Sequence, residues 1–194
     1  MTAPERLPRT SKIFLTLLVF SGILWFGGIV YRALIANEFF VANTLDYLPD
    51  ISPDKERVLF QLLASSSTII VISYFVFLAS VIGIVKSMKI RLKDNGWLMA
   101  ALILFFMFVP VEIFTAYLDV DFILDWRSAM SVIHEKGLQE YTRYSGDLRK
   151  TLAHRIGALG GLPVIALLSY FSALVLVIWK PLRKTESVET RETQ

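Results

Sequence analysis

Long stretches without any charged side chain alternate with shorter polar segments along this chain. The stretches are Ile13–Tyr31, Val58–Val85, Asn95–Val111 and Ile156–Trp179. A helix rises about 1.5 Å per residue, so about 20 apolar residues cross the ~30 Å hydrocarbon core of a bilayer. The pattern therefore predicts an all-α integral membrane protein that folds as a four-transmembrane-helix bundle.

The predicted spans leave little of the chain for a separate globular domain. They are placed at about 13–36, 58–85, 96–117 and 156–179. We expect residues 1–184 to form a single transmembrane domain and residues 185–194 to form a polar, disordered cytoplasmic tail.

The segment 119–155, between spans 3 and 4, is the longest polar part of the chain, and its periodicity indicates helix. Two series of residues each mark one helical face. The first is Phe122, Trp126, Met130 and Ile133, and the second, apolar except for Ser145, is Leu138, Tyr141, Ser145, Leu148, Leu152 and Ile156. Gly137 can end the first helix, and the second series runs into span 4. We predict amphipathic extracytoplasmic helices, either as a docking surface for a partner or lipid headgroups or as a cover over the bundle.

Span 2 is longer than one crossing requires. Its start carries a helix-initiation pattern, with Ser52 as the N-cap residue and Pro53 at the first helical position. The helix is therefore predicted to begin before the membrane and to pack its first turns against the outer loops.

Basic residues set the predicted orientation. With the N-terminus inside, the inside segments hold eleven basic and five acidic residues, whereas the remainder holds nine basic and twelve acidic ones. Because Lys and Arg of short loops stay cytoplasmic, both termini are predicted inside, in the plasma (inner) membrane. Trp97, Trp126 and Trp179 lie near span ends, so they are predicted interface anchors.

Small residues spaced four apart predict close helix packing. Gly157 and Gly161 form a GxxxG motif, and Ala79 and Gly83 repeat the spacing in span 2. These residues are expected to pack within one bundle, with a homo-oligomer as the alternative.

Glu112 is the acid embedded in a long apolar run, in span 3. A carboxylate in lipid needs a partner, protonation or a position inside the bundle. Arg32 of span 1 lies at a comparable height, so we hypothesise a Glu112–Arg32 intramembrane ion pair. There are two alternatives. Glu112 binds a proton or another ion, or it lies at the outer interface in contact with water.

Candidate chemistry is sparse. The chain has no Cys and two His residues, His134 and His154, both in the segment 119–155. Neither nucleotide-binding, serine-hydrolase, zinc-protease nor calcium-loop motifs occur, so neither a cofactor nor a metal is predicted. The basic residues flank apolar spans instead of lining one face, which argues against nucleic acid as a partner.

Three functional hypotheses follow. The favoured one is a non-enzymatic accessory subunit or scaffold of a larger membrane complex, with membrane lipids and other membrane-protein subunits as partners. The second is a small transporter or lipid/quinone-binding protein that uses Glu112 and the Ser65–Thr68 hydroxyls. The third is a lipid-modifying enzyme in which the segment 119–155 acts at the outer interface through His134 or His154.

Overall fold

The computed structural model describes residues 8–41, 44, 46–87, 92, 95–136 and 141–180. Apart from one isolated β-bridge between Phe40 and Tyr47, the regular secondary structure of these residues is helical. The helices are α1 (Arg9–Asn37), α2 (Pro53–Ser87), α3 (Gly96–Met107), α4 (Val109–Lys136), α5 (Tyr141–Gly157) and α6 (Leu162–Trp179). Within these described residues, four segments are long and apolar enough to span a membrane, namely α1, α2, α3 with α4, and α6. This confirms the helical class and the four candidate spans. Gly137, Leu138 and the predicted tail lie outside the described residues.

Helix α4 follows α3 after a single intervening residue, which differs from the separate span and outer helix that the sequence predicted. Only Phe108 interrupts the helix, and the candidate span runs over Gly96–Glu135. Pro110 follows this break, in the first turn of α4, where its missing N–H removes no helical hydrogen bond. Helical structure therefore continues from the predicted span 96–117 into the segment 119–155.

Helix α6 begins later than the predicted span 156–179. Helix α5 ends at Gly157, a turn covers residues 158–161, and α6 starts at Leu162. Gly160 has a φ of +51°, which favours glycine, and Pro163 lies in the first turn of α6. Gly157 and Gly161 therefore belong to the ends of different segments and do not form a GxxxG face on one helix, which corrects that prediction.

The start of α2 agrees with the sequence pattern. The backbone N–H of Lys55 donates to Ser52 Oγ at 3.3 Å, and Pro53 is the first helical residue. The helix contains 35 residues. At about 1.5 Å per residue it is ~52 Å long, far more than a hydrocarbon core requires.

The chain divides into two compact units, each described by itself. The first comprises Met1–Lys89 and Phe114–Gly160, and the second comprises Ile90–Ile113 and Gly161–Gln194. The expectation of a single domain over residues 1–184 stays a prediction.

In the first unit, α1 and α2 form an antiparallel pair whose backbones approach at glycines. A Cβ built on Gly28 would lie 2.7 Å from Ile70 Cγ1, and one on Gly83 would lie 2.6 Å from the Phe14 ring. These positions leave no room for a side chain without movement of the neighbour. Ala79, one turn before Gly83, is exposed instead.

Aromatic stacking and a hydroxyl pair extend the contact between α1 and α2. Trp25 is buried, and its ring lies 5.7 Å from the rings of both Tyr74 and Phe77. Near the other end of the pair, the hydroxyls of Ser11 and Ser87 share a hydrogen bond of 2.8 Å. Trp25 is thus a packing residue between the two helices.

Where α1 ends and α2 begins, the first unit holds a cluster of buried apolar side chains that we call the distal core. Its members are Ile35, Phe39, Leu59, Phe60, Leu63, Ala64, Phe122, Trp126, Ala129, Leu148 and Leu152. They come from α1 and the residues after it, the first turns of α2, the second half of α4, and α5. The predicted packing of the start of α2 against the segment 119–155 is therefore confirmed.

The second unit consists mainly of α3 packed against α6. Ala166 and Ala173 are buried along α6, and Ser169 between them donates its hydroxyl to the backbone O of Leu104 at 2.9 Å. The small side chains let the two backbones approach.

Candidate functional site

Asp119 holds two arginines in the first unit, and we call Arg32, Asp119 and Arg155 the Asp119 cluster. Arg155 Nε donates to Asp119 Oδ1 at 2.8 Å, and Arg32 Nη1 donates to Oδ2. The side chain of Asp119 is 1% exposed, whereas those of Arg32 and Arg155 are 14% and 15% exposed. One buried carboxylate therefore connects α1, α4 and α5 through charge-assisted hydrogen bonds.

The position of the Asp119 cluster along α1 is consistent with the thickness of a bilayer. Lys12 and Arg32 lie twenty residues apart on this helix. At about 1.5 Å per residue, the two positions are separated by ~30 Å, which equals the depth of a hydrocarbon core.

A second buried acid lies at the start of α2, and we call Tyr47, Glu56, Tyr141 and Arg149 the Glu56 cluster. Glu56 is buried and accepts a hydrogen bond from Arg149 Nε. The hydroxyl of Tyr47 donates to the backbone O of Arg149 at 3.0 Å, and the Arg149 guanidinium lies 5.8 Å from the centroid of the Tyr47 ring. These contacts fasten α5 to α2 and to the segment between α1 and α2.

Burial and charge shift the ionisation of the Glu56 cluster. Burial raises the pKa of Tyr141, and the nearby negative charge of Glu56 raises it further. Burial likewise raises the pKa of Tyr47, although the positive charge of Arg149 opposes that shift. Hydrogen bonding to Glu56 raises the pKa of Arg149. Both tyrosines are therefore neutral at physiological pH, and Arg149 is charged.

The structure connects Arg32 to Asp119, a residue that the sequence analysis did not single out. Glu112 is buried and belongs to the second unit. Its pairing with Arg32 stays a prediction.

The three predicted interface tryptophans have different surroundings. Trp126 is buried in the distal core, with its ring 6.4 Å from that of Phe60, which corrects its assignment as an interface anchor. Trp179 is 78% exposed, and the Lys180 ammonium lies 5.6 Å from the centroid of the Trp97 ring. Anchoring by Trp97 and Trp179 stays a prediction.

Hydroxyls in the middle of α2 are engaged by their own helix. Ser66 Oγ donates to the backbone O of Leu63 at 2.9 Å, and Thr68 Oγ1 donates to that of Ala64 at 2.9 Å. Such bonds occupy the hydroxyl hydrogens that a bound ligand would otherwise accept.

The two histidines lie on different helices. His134 of α4 and His154 of α5 are both exposed. Among the described residues, no group of three or more His, Cys, Asp or Glu side chains is arranged to hold a metal.

The sequence analysis missed the roles of Asp119, Arg155, Glu56 and Arg149. A signal for Asp119 was present, because extending the apolar series of α4 back by three residues from Phe122 puts Asp119 on its buried face. Glu56 lies three residues before the buried Leu59, so it is likewise on the buried face of its helix. An acid on the apolar face of an amphipathic helix predicts a buried partner for that acid.

The comparisons with known proteins give no assignment. Neither a family model, nor a curated protein, nor a solved structure matches this chain.

Proposed function

We propose that this chain is a non-enzymatic accessory or structural subunit of a larger membrane complex. The observation that carries the proposal is the use of buried charge. Asp119 pairs with one arginine of α1 and one of α5, and Glu56 of α2 pairs with Arg149 of α5. At the surface, Thr151 Oγ1 of α5 also donates to Asp125 Oδ2 of α4 at 2.9 Å. Polar groups that join helices in this way fix one arrangement, as a scaffold requires.

An apolar face on α6 supplies a contact surface for this role. Val164, Leu168, Val175 and Ile178 recur at helical spacing and are all exposed. In a membrane, such a face meets either lipid tails or a helix of another subunit. We propose that a partner subunit packs against this face.

The test is purification of the full chain from its native membrane in a mild detergent, with a photo-crosslinking residue in place of Leu168. We expect one membrane protein to co-elute at a fixed ratio and to cross-link at this position. The matched control places the same residue at the buried Ala173, where a cross-link within the chain is expected. A lone monomer without a cross-linked partner would contradict the proposal.

The two alternative functions make different predictions. A transporter that uses the Ser65–Thr68 hydroxyls must free Ser66 and Thr68 from their helical bonds, which the present contacts do not favour. A lipid-modifying enzyme that uses His134 or His154 loses activity when both are replaced by Ala. Retained function of that double variant in the native membrane supports the subunit proposal.

A further inference from the structure

We infer that the Asp119 cluster binds the phosphate group of an anionic phospholipid. The accessible side-chain surface of the cluster belongs to its two arginines. The side chain of Asp119 is buried, with 1% of its surface exposed, whereas the side chains of Arg32 and Arg155 are 14% and 15% exposed. A molecule that approaches the cluster therefore meets the cationic side chains and not the carboxylate.

Arg155 has hydrogen-bond donors to spare. A guanidinium group carries five N–H donors in a planar fork that matches the oxygens of a phosphate. Within the part of the chain that the structure describes, the hydrogen bond of Arg155 is the single one from Nε to Asp119. That bond fixes the plane of the guanidinium group and leaves its Nη donors for an external acceptor.

The predicted depth of the cluster matches the headgroup layer. Arg32 lies ~30 Å along α1 from Lys12, one hydrocarbon thickness away if Lys12 marks the opposite boundary. Tyr31 and Tyr117 precede Arg32 and Asp119 by one and two residues and are both exposed, as tyrosines of an interfacial belt are. Phosphodiester groups of lipids occupy this layer, so the natural acceptor is a lipid and not a soluble anion.

The experiment uses the full chain in a neutral detergent, titrated with phosphatidylglycerol or phosphatidylcholine, with bound lipid counted by native mass spectrometry. We expect tighter binding of phosphatidylglycerol by about fivefold, the effect of one arginine at an anionic surface. R155Q is expected to lose this preference. K150Q is the matched control, since Lys150 lies on the same helix but pairs with Asp147 at the surface, and it is expected to keep the preference.

If R155Q does not fold, R155K is the second test variant, because lysine keeps the positive charge but lacks the planar guanidinium group. R155K is expected to lower the affinity for phosphatidylglycerol by about threefold, because lysine loses part of the contribution that one charge-assisted hydrogen bond makes to binding. Unchanged affinity in whichever variant folds would overturn the inference. So would equal binding of the two lipids by the unmodified chain, or binding of inorganic phosphate as tight as that of phosphatidylglycerol, which would show a site for the free anion.

Discussion

Arg155 donates its Nε–H to Asp119 Oδ1 at 2.8 Å across 36 residues of sequence. The bond joins α5 to α4, and because Arg32 holds the other oxygen of the same carboxylate, it also ties both helices to α1. The last turns of α1 and of α5, which are far apart in sequence, are thus held by one acid.

Asp119→Asn is expected to destabilise the protein strongly, because it leaves two arginines without the buried charge that holds them. The expected loss is about 3–5 kcal/mol of unfolding free energy, measured by denaturant titration in detergent micelles. The control is Asp147→Asn, which removes an exposed acid of a surface pair and is expected to cost less than about 0.5 kcal/mol. Equal stabilities of the two variants would show that the Asp119 cluster does not hold the helices.

Glu56 and Arg149 are expected to act as a unit. Glu56→Gln and Arg149→Gln should each cost about 1–3 kcal/mol of unfolding free energy, since each leaves a charge without its partner. The double variant should cost clearly less than the sum of the two, because the second change removes the charge that the first one left alone. The measurement is a double-mutant cycle, and additive losses would speak against the pair.

The raised pKa of Tyr141 predicts a loss of stability in alkali. Its pKa is raised above the ordinary value of 10.0, chiefly by burial. Above pH 10 the unfolded chain releases this proton while the folded chain retains it, so the unfolding free energy falls as pH rises, by up to about 1.4 kcal/mol per pH unit. Tyr141→Phe should remove this part of the slope between pH 10 and 11.5. Identical slopes for the variant and the unmodified protein would contradict the assignment.

Two adjacent glycines give a matched test of the close approach of α1 and α2. Gly28→Ala is expected to cost about 1–3 kcal/mol of unfolding free energy, because the new Cβ meets the buried side chain of Ile70. A Cβ at Gly27 meets nothing within 4 Å. Gly27→Ala is therefore expected to be neutral or to stabilise by up to about 1 kcal/mol through helix propensity. The measurement is the unfolding temperature of the two variants. A lower unfolding temperature for Gly27→Ala than for Gly28→Ala would contradict the close approach of the helices at Gly28.

Much of the fold follows from local pattern. The uncharged stretches locate the four candidate spans, and Ser52 with Pro53 locates the start of α2, because span length and helix initiation depend on residues that are close in sequence. The sequence analysis ran the outer helix into span 4 without a break, since a continuous apolar series does not reveal that Gly160 takes a left-handed conformation.

The charge clusters follow from tertiary structure and were harder to predict. Glu112 drew attention because it stands in an apolar run, whereas Asp119 looks like a residue at the end of a span. Which arginine reaches which acid depends on how α1, α4 and α5 meet, and the distance between them in sequence carries no such information. Trp126 shows the same limit, since the period that marks one helical face does not say whether lipid or protein covers it.

The most direct test of the account is the labelling of single cysteines in intact cells, which is simple because the natural chain has no Cys. Cysteine is placed at His154, on the exposed side of α5, or at Lys12, near the start of α1. If α1 spans the membrane from a cytoplasmic N-terminus, a membrane-impermeant maleimide labels H154C in intact cells and labels K12C only after lysis. Labelling of K12C in intact cells, or protection of H154C until lysis, would contradict the account.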